Sequence, residues 1–187
     1  MKIGRNWLFS TGAVGVALYA CYVFVGYVSI KALPTTLLID ASLYPQNLAK
    51  HWVLMPFKRQ LAQYSLYSKT PTQVQEDFRR YGYTLYSGVI GYRDVTIPRN
   101  TPRPAAEVRM IRDIASFVYR SGVGIDWVDQ AGCSAIHQAL IESDLSSVRY
   151  LQELGGKIST SSNPTASYRL CRLDTATLAA EKGLSLN

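Results

Sequence analysis

The chain has 187 residues, 48% hydrophobic and 18% charged, which excludes a disordered or fibrous composition and is enough for one compact domain plus a tail. Three Cys are too few for a disulfide-dense scaffold or a four-Cys zinc module, and two His leave a transition-metal site short of ligands unless carboxylates fill in. The net charge of +7 is uneven: three basic residues and no acid in 1–31, nine basic and four acidic in 32–104, and eight basic against nine acidic in 105–187.

Lys and Arg arrive as singles and pairs (Lys58-Arg59, Arg79-Arg80) instead of clustering on one recognition element. That pattern argues against nucleic acid as a partner and favours contact with an anionic membrane surface.

Residues 7–30 contain no charge. At about 1.5 Å per residue, a helix of that length reaches roughly 36 Å, enough to cross a hydrocarbon core of about 30 Å. Gly12, Gly15 and Gly26 are tolerated in such a helix. Two processed forms compete with it: cleavage after Ala20, or lipidation at Cys21, where Leu18-Tyr19-Ala20-Cys21 resembles a lipoprotein box. Residues 22–30 stay strongly apolar beyond both sites, so an uncleaved signal anchor is the preferred reading. Lys2 and Arg5 precede the segment and Lys31 follows it, which orients the N-terminus to the cytoplasm and 32–187 outside it. The expected location is a bacterial inner membrane, crossed once, with the remainder in the periplasm. Cys133 and Cys171 would then meet an oxidising compartment, bridged if geometry allows and otherwise two buried thiols.

Residues 32–47, with Pro34 and Pro45, read as a connector. Residues 51–67 have helical spacing, with Trp52, Met55, Leu61, Tyr64 and Phe57 as an apolar stripe and a kink near Pro56. A helix opens after Thr70-Pro71, with Thr72 as N-cap, Gln75 three residues on, and Val74, Phe78 and Tyr81 facing the core. Alternation around Gly88 and Gly91 fits a short hairpin over 83–92, and the prolines of 98–104 mark a boundary. A helix over 105–121 repeats Val108, Ile111, Ile114, Ala115 and Val118, and Gly122 caps it. At an offset of 33 residues, Ala115, Val118, Gly122 and Ile125 fall on Val148, Leu151, Gly155 and Ile158.

A 33-residue period is that of ankyrin arrays. Asp129, Gly132, the run Ser134-Ala135-Ile136-His137, and Ala139 resemble the opening of that family's repeat, with Ala135 in place of the usual proline. Residues 126–158 look like one nearly complete repeat, 105–125 like the second helix and turn of the preceding one, and 174–180 like the first helix of a degenerate cap. The expected fold class is mostly α: a single-pass N-terminal transmembrane helix (1–31), a basic, Tyr-rich, irregular helical cap (32–104) and a small ankyrin-like helical repeat domain (105–187).

The resemblance implies recognition of another protein and no chemistry in common. Family turn tips and inner helix faces carry the contacts, which points to Trp127, Val128, Gln130 and Ala131 at the tip, with Arg149, Tyr150, Lys157 and Tyr119 beside them. It also makes His137 structural, bonded to a neighbouring turn. Cys133 and His137 share a helix face but lack two further ligands, and no nucleophile elbow or phosphate cradle is evident. No catalytic residue, cofactor, metal or small-molecule substrate is therefore expected. A membrane-tethered ankyrin-like module outside the cytoplasm resembles immunity proteins that neutralise bacterial toxins or effectors. The alternative is a structural adaptor in an inner-membrane or secretion assembly.

Overall fold

The computed structural model describes residues 4–50, 57–93, 98, 101–160 and 162–184. They form eight α-helices and two compact units, Met1–Ser68 and Lys69–Asn187. Among the described residues the only strand-like pairing is an isolated bridge between Val128 and Ser134.

In the first unit α1 runs unbroken from Gly4 to Lys31, through Ala20 and Cys21. Its stretch Val14–Lys31 is long and apolar enough to be a membrane anchor or signal sequence. Residues 32–47, expected as a connector, instead fold into α2 (Thr35–Leu43) and a 3₁₀ turn beginning at Pro45. α2 follows Pro34, which makes no side-chain cap bond, and Leu38, Ile39 and Leu43 give that helix a buried face. α3 (Lys58–Tyr67) packs against α1, α2 and the 3₁₀ turn. It buries Ala62, Ser65 and Leu66, while Tyr64 of the expected core stripe is exposed and Leu61 half-buried. The Trp52, Met55 and Pro56 part of that expectation lies outside the described residues.

The second unit starts with α4 (Pro71–Tyr81). Its N-cap is Thr70, not Thr72. The Thr70 hydroxyl accepts from Gln73 N (3.3 Å) and Gln73 Oε1 accepts from Thr70 N (3.0 Å). Pro71, lacking an N–H, is suited to the first helical position, which moves the cap two residues earlier. Val74 and Phe78 are buried, but Tyr81 faces out.

The hairpin expected over 83–92 is instead a π-helical turn, Tyr86–Ile90. The Thr84 and Ser87 side chains bond each other's backbone N–H across its start, and the ring of Phe78 lies where a Cβ on Gly88 would sit. Side-chain capping and packing thus override the local alternation. This turn packs on α5 and α6 within the second compact unit, which begins at Lys69.

α5 (Ala105–Arg120) buries Ile111, Ile114, Ala115 and Val118 but leaves Val108 of the expected stripe exposed, and ends at Gly122, whose φ of +91° glycine tolerates. α6 (Ala135–Ile141) and α7 (Leu145–Glu153) are joined by a three-residue turn and pack together. Ser134 caps α6 by accepting from His137 N, and Asp144 caps α7 by accepting from Ser147 N. α8 (Thr175–Glu181), capped by Asp174, also packs on α6 and is preceded by a 3₁₀ turn at Arg169–Arg172. α6 thus contacts the π-turn, α7 and α8, with Ala135, Ile136, Ala139 and Leu140 buried.

Candidate protein-binding surface

The turn before α6 is built on one carboxylate. Asp129 Oδ1 accepts from the backbone N–H of Ala131 (2.8 Å) and Cys133 (2.9 Å), and Oδ2 accepts from Gln138 Nε2 at 2.7 Å. The other end of the Gln138 amide accepts from the Thr84 hydroxyl, tying the turn to the residues just before the π-turn. Gly132 has φ +84°, and a Cβ there would meet Ala166 at 2.7 Å. Cys133 and Cys171 are joined by a disulfide, with Cα atoms 5.0 Å apart, closing the alternative of two free thiols. The turn is also bonded to the following loop by Ser167 N to Ala131 O and Asn163 Nδ2 to Gly132 O.

His137 is buried within this frame. Its Nε2 lies 2.9 Å from the carbonyl oxygen of Leu173, and its Nδ1 lies 2.8 Å from the Ser134 hydroxyl. A carbonyl only accepts, so Nε2 carries the proton and Nδ1 accepts from Ser134. Both nitrogens are thereby committed to holding the turn before α8 against α6.

On this frame the tip residues have different fates. Val128 and Gln130 are exposed and Ala131 is half-buried. Trp127 is half-buried, not a free anchor: the Arg79 guanidinium stacks over its ring at 4.7 Å. Gln130 packs against Gly82, where a Cβ would lie 2.8 Å from its Cγ. The tip is therefore continuous with the end of α4, where Arg80 lies 5.9 Å from the ring of Tyr81 and Tyr81 stacks on Tyr83 at 6.3 Å. Arg79, Arg80, Tyr81, Gly82, Tyr83, Trp127, Val128 and Gln130 thus form one aromatic and cationic patch. The first five were missed as site residues because the arginine pair read as a solvated face and Tyr81 as core. The run of Arg, Arg, Tyr, Gly and Tyr was the available signal.

The remaining candidates lie elsewhere. Arg149, Lys157 and Tyr119 are exposed, the last beside Gly155. Tyr150 is buried, and its hydroxyl donates to Arg112 O at 2.9 Å and meets Ser116 Oγ at 3.1 Å, so it joins α7 to α5 and is not an open contact residue. Its ring carries the Arg112 guanidinium at 4.7 Å.

Beside the tip lies an open cleft of about 1110 Å³, lined among others by Tyr92, Arg103, Ala131, Gln138, Asp144 and Tyr150. Arg103 donates to Ile90 O (2.6 Å) and Tyr92 O (2.9 Å) and pairs with Glu107. Burial pushes the Asp144 carboxyl up, but hydrogen bonds from the Ser147 and Ser146 hydroxyls and Ser147 N, with the nearby Arg103 charge, outweigh it and hold the group below its ordinary value.

Among the described residues no group of three or more His, Cys, Asp or Glu is arranged to hold a metal ion. Comparison with protein-family models, curated proteins and solved structures gives no match to this chain, so the reading of its surface rests on the chain's own residues.

Proposed function

We propose that this chain is a membrane-anchored protein-binding module facing the periplasm, most concretely an immunity-type inhibitor that binds and neutralises a bacterial toxin or effector. The observation that carries the recognition role is the patch joining Arg79, Arg80, Tyr81 and Tyr83 to Trp127, Val128 and Gln130. Tyr, Trp and Arg are the residues that dominate binding energy at protein interfaces, and here their rings and guanidinium groups are already held in place by stacking. Pre-ordering lowers the entropy lost on association.

The reading of 126–158 as an ankyrin-type repeat is supported by the Asp129-built turn, the Ser134 cap, the two short packed helices and the His137 bond to the next turn. The disulfide supports a compartment outside the reducing cytoplasm, and the apolar α1 supplies a tether.

Coexpression tests the proposal. The product of the adjacent gene, directed to the periplasm, is expressed with the full chain or with its Val128→Asp or Tyr83→Ala variants, both changed at exposed side chains. Growth restored by the native chain and weakened by either variant is the expected result. Equal killing with and without the chain overturns the inhibitor reading and returns weight to an adaptor in an envelope assembly.

A further inference from the structure

α3 turns a stripe of large apolar and aromatic side chains outward, beside the exposed Arg59 and Gln60. Phe57, at the N-cap, and Leu61 and Tyr64 recur at i, i+4 and i+7, with Phe57 72% and Tyr64 62% exposed, while Ala62, Ser65 and Leu66 are buried on the other side. Leu61 closes an apolar groove of about 520 Å³ whose other wall is Tyr19, Ala20, Val23, Phe24 and Tyr27 of α1.

All five wall residues belong to Val14–Lys31, the stretch long and apolar enough to cross a membrane. From Tyr19 to Tyr27 is roughly 12 Å along the axis, at about 1.5 Å per residue. α3 therefore lies beside the membrane-spanning stretch itself, not beyond its end. In water this arrangement would expose Phe24, Val25 and Val28 of α1 together with Phe57 and Tyr64 of α3.

We propose that α3 is seated in the headgroup and upper acyl region of the bilayer that α1 crosses, and that a phospholipid acyl chain fills the α1–α3 groove. The inference rests on α1 being a membrane span. Continuity of the groove with that span identifies lipid as the occupant. The charge agrees: the first unit carries six basic residues and one acid, an excess that anionic headgroups would balance. A helix satisfies its own backbone hydrogen bonds and so tolerates this depth, and Tyr27, Tyr64 and Tyr67 are the residue type that gathers at a membrane–water interface.

The test uses the full chain in vesicles of phosphatidylethanolamine and phosphatidylglycerol. Cys21 is replaced by Ser, and single nitroxides are placed at Val16, Phe57, Tyr64 or Gln152, all exposed positions. Relaxation by oxygen, which partitions into lipid, is compared with relaxation by a water-soluble nickel complex. The expected result is an oxygen-to-nickel ratio at Phe57 and Tyr64 raised above the Gln152 value toward that of Val16, which lies deeper in the bilayer. Ratios at Phe57 and Tyr64 equal to Gln152, with Val16 in lipid, overturn the proposal and leave the anchor standing. Exclusion of both relaxants at Tyr64 also overturns it, because a protein partner then covers the face. A water-like Val16 defeats the anchor reading itself, and this proposal with it.

Discussion

His137 Nε2 and the carbonyl oxygen of Leu173 lie 2.9 Å apart, while the same ring accepts from the Ser134 hydroxyl through Nδ1. One buried side chain thus couples the cap of α6 to the chain segment leading into α8. The ring is spent on structure at both nitrogens.

Replacing His137 by Ala leaves the Leu173 carbonyl and the Ser134 hydroxyl short of a partner in a largely buried site. The expected loss is about 2–3 kcal/mol of unfolding free energy. His137→Gln, which retains a donor for Leu173, should recover part of it. Urea denaturation followed by circular dichroism measures both. A His137→Ala variant as stable as the native chain would contradict the structural assignment.

Asp129 organises the turn before α6 through three accepted hydrogen bonds. Asp129→Ala should cost about 2–3 kcal/mol, since two turn N–H groups and the Gln138 amide lose their acceptor. Asp129→Asn should fall between. It keeps the acceptor for Ala131 and Cys133 but turns an amide donor toward Gln138, which can flip only if the Thr84 hydroxyl changes from donor to acceptor. Amide hydrogen exchange at Ala131 and Cys133 locates the loss: protection falls there in Asp129→Ala and persists in Asp129→Asn.

The Cys133–Cys171 bridge spans 38 residues. Loop-closure entropy for that separation corresponds to about 4 kcal/mol, with typical measured values of about 2–4. Reduction, or a Cys133→Ala and Cys171→Ala pair, should lower stability by that order in denaturant titrations. Without reductant the unfolded chain should take up one maleimide, at Cys21, and after reduction three.

Acid should loosen α7 and α8. The Asp144 carboxyl is held low as described, and that of Asp174 is drawn down mainly by Thr177 N and the Thr177 hydroxyl. Both folded values lie below the unfolded one. Their stabilisation is therefore complete above the ordinary aspartate value of about 3.9 and disappears as pH falls from there through the folded values. Unfolding free energy should drop more steeply below about pH 4 in the native chain than in an Asp144→Asn, Asp174→Asn double variant, which keeps cap acceptors without titrating. Parallel curves would contradict the assignment.

The sequence by itself determined the apolar N-terminal helix, the α5 face of Ile111, Ile114, Ala115 and Val118, and the Ser134, Gly122 and Gly155 helix ends. Those features follow from hydrophobic run length, 3.6-residue periodicity and capping, all local properties of the chain. Only the tertiary structure decided the rest. The stripe of α3 holds helical spacing whether it faces a core or a membrane, and what packs behind Ala62 and Leu66 turned Tyr64 outward. The 83–92 alternation gave way to the Thr84–Ser87 cap and to Phe78, ten residues before Gly88, whose ring fills the space beside it. Trp127 is capped by Arg79 from α4, Tyr150 reaches α5, and Cys133 finds Cys171. Each of these depends on residues far apart in the chain being brought within a few ångströms, a distance that composition and spacing do not encode.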